Sequence, residues 1–165
     1  MSIYVLDTSI LVGYIYGSEY AEYIEAKYSL MSPSNITVVS SVTIGEILSL
    51  ATQLNWGEKK KQEIEKLIEN FPTVDIGDRK ILERYAEIDA YSQGKHPEKK
   101  LPKGMGPRNM GKNDIWIAAT SSILKAILLT TDHHFDHLDN IFLRVIYIDQ
   151  NLKKEDAMSE SSARL

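Results

Sequence analysis

Cysteine is absent from this chain, which removes disulfides, thiolate zinc sites and cysteine nucleophiles together and fits a reducing compartment. Proline and glycine are sparse, five and nine in 165 residues, and three of the prolines and four of the glycines fall within residues 94–111. The rest of the chain is open to long regular elements, interrupted by one long loop. No apolar run is long enough to span a bilayer, and the first, IYVL, is closed by Asp7. It has no basic lead-in and does not read as a secretion signal, so a soluble, cytoplasmic protein with no membrane attachment is expected. Positive charge is not in excess either. A net charge of −4 argues against a generally basic nucleic-acid binder. The distribution is uneven: residues 95–112 hold six bases, including Lys103, Arg108 and Lys112, against Glu98 alone, a local +5 that leaves −9 for the remainder. A solvated, flexible loop accounts for that patch about as well as a polyanion-binding strap does.

With 43% hydrophobic residues, the chain can fill one core and is too short for two ordinary domains. Residues 1–150 are read as a single domain and 151–165, NLKKEDAMSESSARL, as a polar tail. Five short runs, IYVLD, ITVVSSV, PTVDIG, ILLTTD and VIYID, are β-branched and nearly continuously apolar, as strands covered on both faces are. Helical periodicity occupies 9–16, 19–30, 44–54, 58–70, 78–93 and 115–125. Ile64, Leu67, Ile68 and Phe71 mark the apolar face of one helix; Ile81, Leu82, Tyr85 and Ile88 mark that of the next. This alternation predicts an α/β fold, a parallel sheet with helices on both sides.

In such a sheet Asp7 and Asp132 close the first and fourth strands, at the carboxyl edge where open α/β folds place their sites. Glu46 lies one turn into the helix after the second strand. Asp114 opens a helix that must run back to start ILLTTD, so it too belongs to that edge. The preceding helix is expected to end at the opposite edge, about 24 Å away for 16 residues, leaving the basic loop to make the return and bring Arg108 and Lys112 beside the acids. Each acid also has an ordinary explanation. Asp7 with Thr8 and Ser9, or Asn113 with Asp114, suit helix caps; Thr43 and Glu46 match a capping box; Asp132 suits a turn. Four like charges gathered at one edge would nevertheless repel, raising their pKa values, unless a cation compensated them. Carboxylate ligands suit Mg²⁺ or Mn²⁺.

With these residues in place, the sequence resembles the PIN-domain ribonucleases, especially the VapC-type toxins of prokaryotic toxin–antitoxin pairs. The resemblance rests on YVLDTSILV, SSVTIGEIL, GKNDIWIAAT and LLTTDHHFDHL, in family order across nearly all of residues 1–149. It implies a three-layer α/β/α fold with a parallel sheet of about five strands, and a metal-dependent nuclease centre whose acids fall on Asp7, Glu46, Asp114 and Asp132. Many relatives read T-x-D-x-D-F where this chain has Thr130, Asp132, His134 and Phe135, so His134 replaces a second acid, and Asp136 is the nearest alternative carboxylate. His133 and His137 have i, i+4 spacing but no H-E-x-x-H motif, so rim histidines are favoured over a zinc site.

The activity implied is hydrolysis of RNA phosphodiester bonds with Mg²⁺ or Mn²⁺ held by the four acids. Ser9 and Thr131 are candidates to orient the carboxylates, with His134 and Asp136 at the rim. Lys103, Arg108 and Lys112 are candidates to hold the RNA backbone. Trp116 is expected to pack between helices. The resemblance also implies a small antitoxin partner and a homodimer, for which Tyr14, Tyr16, Tyr20, Tyr23 and Tyr28 offer interface rings, although half-burial explains them equally well. A free-standing RNA-processing nuclease and a catalytically inactive PIN scaffold are the alternatives. The absence of D-x-D after the first strand, of G-x-x-x-x-G-K-[ST] and of G-x-G-x-x-G turns the reading away from aspartyl-phosphate and nucleotide-binding enzymes.

Overall fold

The computed structural model describes residues 1–162. In chain order the elements are β1 (Ile3–Leu6), α1 (Thr8–Tyr16), α2 (Glu19–Tyr28), β2 (Ile36–Ser40), α3 (Ser41–Gln53), α4 (Glu58–Glu69), β3 (Thr73–Val74), α5 (Arg79–Ser92), α6 (Lys112–Leu124), β4 (Ile127–Thr130), a 3₁₀ helix (His133–Leu138), β5 (Arg144–Tyr147) and α7 (Lys154–Ser162). All strand pairings are parallel, in the order β3-β2-β1-β4-β5. The five strands expected from the sequence are present. Side chains alternate across each strand and divide the core in two. Leu6, Val39 and Leu129 face a layer containing Ile10, Ile24, Ile47 and Ile64 of the first four helices. Val5, Val38 and Leu128 face a layer formed by Ile81, Ile88 and Tyr91 of α5, Ile115 and Ala118 of α6, and Phe135 and Leu138 of the 3₁₀ helix. The result is an α/β/α sandwich.

The chain winds outward from β1 through β2 to β3, then returns to lay β4 against the other side of β1. The strand order therefore reverses between β1 and β4. At such a switch point the connections leave in opposite directions and open a crevice at the carboxyl ends.

Two sequence expectations are corrected. First, α5 does not end at the far edge of the sheet. Lys112 at the start of α6 pairs with Asp89 near the end of α5, and Arg84 near the start of α5 reaches Ser122 near the end of α6. The two helices are antiparallel neighbours, and their packing sets the direction of α5. The intervening loop is a closed excursion: the Arg108 amide donates to the Ser92 carbonyl at 2.8 Å. It is also packed, because Met110 and His96 are buried and His96 Nδ1 accepts from the Glu98 and Lys99 amides. Gly94 turns the chain with φ +68°, and a side chain there would press on Pro107 at 3.3 Å.

Second, the expected polar tail contains α7, whose Ala157 is only 2% exposed within the first core. Lys27 of α2 pairs with Glu160, and the Tyr23 hydroxyl also donates to Glu160. Residues 163–165 of the expected tail lie outside the described residues. The tyrosines of the first two helices follow the half-burial alternative: Tyr20 and Tyr23 are buried, Tyr14 donates to Glu25, and Tyr28 meets Tyr4 edge to face. Tyr16 remains 54% exposed. Trp116 stacks on Tyr85 with centroids 3.9 Å apart, joining α6 to α5 as expected. Among the described residues, no helix is long and apolar enough to cross a membrane.

Candidate metal centre

Asp7 leaves β1 directly into α1 and caps that helix: its Oδ1 accepts from the Thr8 amide at 2.8 Å. Its Oδ2 accepts from two hydroxyls, Ser9 Oγ and Thr130 Oγ1, each at 2.7 Å. A carboxylate has about four acceptor sites, so three are used and one remains on Oδ1. Each hydroxyl also ties the neighbouring turn in place, Ser9 Oγ accepting from the Thr131 amide and Thr130 Oγ1 from the Asp132 amide. Asp7 is 5% exposed. Burial raises its pKa, the three hydrogen bonds oppose that shift, and the charge of Glu46 adds to it.

Glu46 is not part of a capping box. Ser40 caps α3 through its Oγ, because β2 runs directly into the helix, and Glu46 sits in the second turn. Its Oε2 accepts from the Thr8 hydroxyl and its Oε1 from Asn113 Nδ2 at 2.9 Å. One carboxylate thus joins α1, α3 and α6. Asn113 and Asp114 do not cap α6 either; that position belongs to Gly111. Asp114, in the first turn, folds its carboxylate back over Gly111, where an added Cβ would meet Oδ2 at 2.8 Å. The missing side chain leaves room for the acid.

Asp132 caps the 3₁₀ helix, its Oδ1 accepting from the His134 amide at 2.8 Å. Its Oδ2 lies 3.2 Å from His134 Nδ1. Asp114, Asp132 and His134 each offer a ligand atom, and these atoms all lie within 4.8 Å of one another. The pKa of Asp114 is pushed up to about 6, first by burial and then by the charges of Asp7, Asp132 and Glu46; His134 acts in the opposite direction. The four acids therefore share one electrostatic basin at the β1/β4 switch point. Two carboxylates and an imidazole that converge with excess negative charge behind them are a donor set suited to a divalent cation.

The PIN domain family model matches residues 4–141. The chain belongs to the PIN-domain family. No curated protein matches it. Among solved structures it is similar to VapBC2 from Rickettsia felis bound to a DNA fragment from their promoter, at 20% identity and a TM-score of 0.68 over 89% of this chain and 99% of that one. It is also similar to VapBC-1 from nontypeable Haemophilus influenzae, at 25% identity and a TM-score of 0.64 over 88% and 97%. A third is VapBC-5 from Mycobacterium tuberculosis, a member of the VapBC family of toxin-antitoxin systems, at 19% identity and a TM-score of 0.56 over 90% and 100%.

Around the acids of this PIN domain, the flanking residues are placed unevenly. The Thr131 hydroxyl accepts from Gln150 Nε2 at 3.1 Å and does not reach Asp7. Thr130, one residue earlier, supplies that contact. Asp136 is taken up by His133, whose Nδ1 lies 2.8 Å from its Oδ2 and whose ring stacks on Tyr147 at 3.8 Å. His137 is not a rim residue: it is 4% exposed and its Nε2 meets Ser92 Oγ at 2.8 Å. With one ring outside and the other inside, His133 and His137 form no common site, because the 3₁₀ winding turns i and i+4 apart. Among the bases, Arg108 is exposed and shares with His134, Asn109 and Met110 a cleft of about 440 Å³. Lys103 is exposed on the same loop. Lys112 is exposed at the start of α6, but its ammonium is committed to Asp89 at 3.1 Å. Thr8, Asn113 and Thr130 are the site residues that the sequence reading did not assign.

Proposed function

We propose that this PIN domain is a divalent-metal-dependent endoribonuclease, the toxin of a VapBC-type toxin–antitoxin pair. The observation that carries the reading is the convergence of Asp7, Glu46, Asp114 and Asp132, with Asp114 pushed up to about 6 by burial and the other three charges. A protein that merely capped its helices would gain nothing from that repulsion. Membership of the PIN family and the likeness to VapBC structures support the same assignment.

In this reading Asp114, Asp132, Asp7 and Glu46 hold Mg²⁺ or Mn²⁺. The bound ion supplies Lewis-acid stabilisation of the charge that develops as a phosphodiester is hydrolysed. The chain's own residues do the remaining work. Ser9 and Thr130 fix the Asp7 carboxylate, and Thr8 and Asn113 fix Glu46, so the acids need little reorganisation when the cation arrives. Arg108 and Lys103 attract the RNA backbone towards a basin that is otherwise negative. Lys112 contributes through Asp89 and holds α6 against α5. A small antitoxin protein and a second copy of this chain are the partners expected of a toxin of this type. An inert PIN scaffold fits less well, because all four acids are present and three of them, Asp7, Glu46 and Asp132, are held by neutral donors.

The test is cleavage of total RNA with Mg²⁺ or Mn²⁺ by the wild type, Asp7→Asn and Asp114→Asn. Metal-dependent cleavage lost in both variants is expected; equal activity in all three refutes the assignment. A neighbouring reading frame for a small DNA-binding protein separates a toxin from a free-standing nuclease.

A further inference from the structure

We infer that His134 is a direct ligand at this centre and that its nitrogen biases the site towards Mn²⁺ over Mg²⁺. This rests on the metal-centre reading above and adds to it a residue and a selectivity. Of the three histidines in the DHHFDHL run after β4, His133 is taken up by Asp136 and Tyr147 and His137 by Ser92. Only His134 joins the acids, with a ring nitrogen, an Asp114 oxygen and an Asp132 oxygen all within 4.8 Å.

Two contacts fix the arrangement. Asp132 Oδ1 accepts from the His134 amide at 2.8 Å, which sets the backbone of His134 against that carboxylate. Its other oxygen, Oδ2, then lies 3.2 Å from His134 Nδ1. Adjacent ligands on a six-coordinate ion with bonds of about 2.1 Å stand about 3 Å apart. The observed pair is at the spacing of two neighbours on one ion, and it forms without any change of fold.

The chemistry of the nitrogen gives the selectivity. Mg²⁺ takes carboxylate, carbonyl and water oxygens and gains little from an imidazole, whereas first-row transition ions bind imidazole well. A carboxylate at position 134 would restore an all-oxygen set and add charge to an already crowded basin. The imidazole does neither.

The experiment measures Mn²⁺ and Mg²⁺ affinities calorimetrically for the wild type, His134→Asp, His134→Ala and Asp114→Asn, and records pulsed electron paramagnetic resonance of the Mn²⁺-loaded proteins. The wild type should prefer Mn²⁺ and show nitrogen-14 modulation. His134→Asp should lose the modulation and narrow the Mn²⁺/Mg²⁺ preference by about tenfold; His134→Ala should lose the modulation and weaken Mn²⁺ more than Mg²⁺. An unchanged preference, or nitrogen modulation that survives both His134 variants, overturns the inference. If both ions bind the wild type and fail to bind Asp114→Asn, that result leaves the metal centre standing. If the wild type binds neither ion, the metal centre and this inference fail together.

Discussion

Replacing Thr130 by valine separates a positioning role from packing at one buried atom. The hydroxyl donates to Asp7 Oδ2 at 2.7 Å and accepts from the Asp132 amide at 3.0 Å, and the residue is fully buried. Valine keeps the shape, so no cavity opens. The lost hydrogen bond to a carboxylate is worth about 1.5–3 kcal/mol, and the stranded Asp132 amide adds about 1 kcal/mol if water does not reach it. With partial relaxation a loss of about 2–3 kcal/mol at neutral pH is expected. That is a large share of a stability of about 5–15 kcal/mol. The pH dependence identifies the cause. The pKa of Asp7 is raised above 3.8 in the folded protein, so this group's contribution is most favourable below 3.8 and is lost as pH rises through the folded value. Removing a donor raises the folded pKa further, and the variant loses more over the same rise. Urea denaturation at neutral pH and near pH 4, without metal, should show a gap between wild type and Thr130→Val that narrows on acidification. A gap of the same size at both pH values, or none at neutral pH, would refute the role assigned to the hydroxyl.

Asp114 must lose its proton to bind a cation, and it titrates at about 6. Calorimetric Mn²⁺ affinity should therefore be flat above about pH 7 and fall by up to about tenfold per unit below about pH 6; a flat profile down to pH 5 would contradict this. Arg108→Ala should weaken RNA binding in a salt-dependent way, and Lys112→Ala should do so less, because its ammonium is committed to Asp89; equal losses in a filter-binding titration would remove that distinction. Ala157→Asp places an unpaired charge between α7 and the first core and should cost about 2–4 kcal/mol in urea denaturation. A neutral effect would mean that α7 does not contribute to the stability of the domain.

The fold was legible because its strands are short, apolar and punctuated, and two of the site aspartates, Asp7 and Asp132, follow β1 and β4 within two residues. Asp7 and Asp132 could be placed from strand direction alone, and Asp114 from the need to begin β4 at the opposite edge. What escaped the reading was set by contacts distant in sequence. Thr130 and Thr131 are adjacent and project to different sides. Choosing between them requires the β1/β4 register, Leu6 opposite Leu129, which no local pattern encodes. Glu46 matched a capping box because Ser40, Ser41 and Thr43 all offer hydroxyls near the start of α3. The partners that hold it, Thr8 and Asn113, come from two other helices. The direction of α5 depends on its packing against α6, and a two-residue β3 gives little warning of it. The last helix is polar along most of its length. It docks through Ala157 and through Lys27 and Tyr23 on α2, a small apolar contact that its own sequence scarcely marks.

The central claim is that four acids are held together at a cost that a cation relieves. Thermal denaturation of the wild type and Asp114→Asn, in chelator and in Mn²⁺, tests it most directly. Removing one crowded charge should raise the chelated variant by about 1 kcal/mol, discounted for the partial exposure of the group, or about 2–4 °C. Mn²⁺ should then stabilise only the wild type. A chelated variant that melts below the wild type, or one that gains as much from Mn²⁺, would contradict the account.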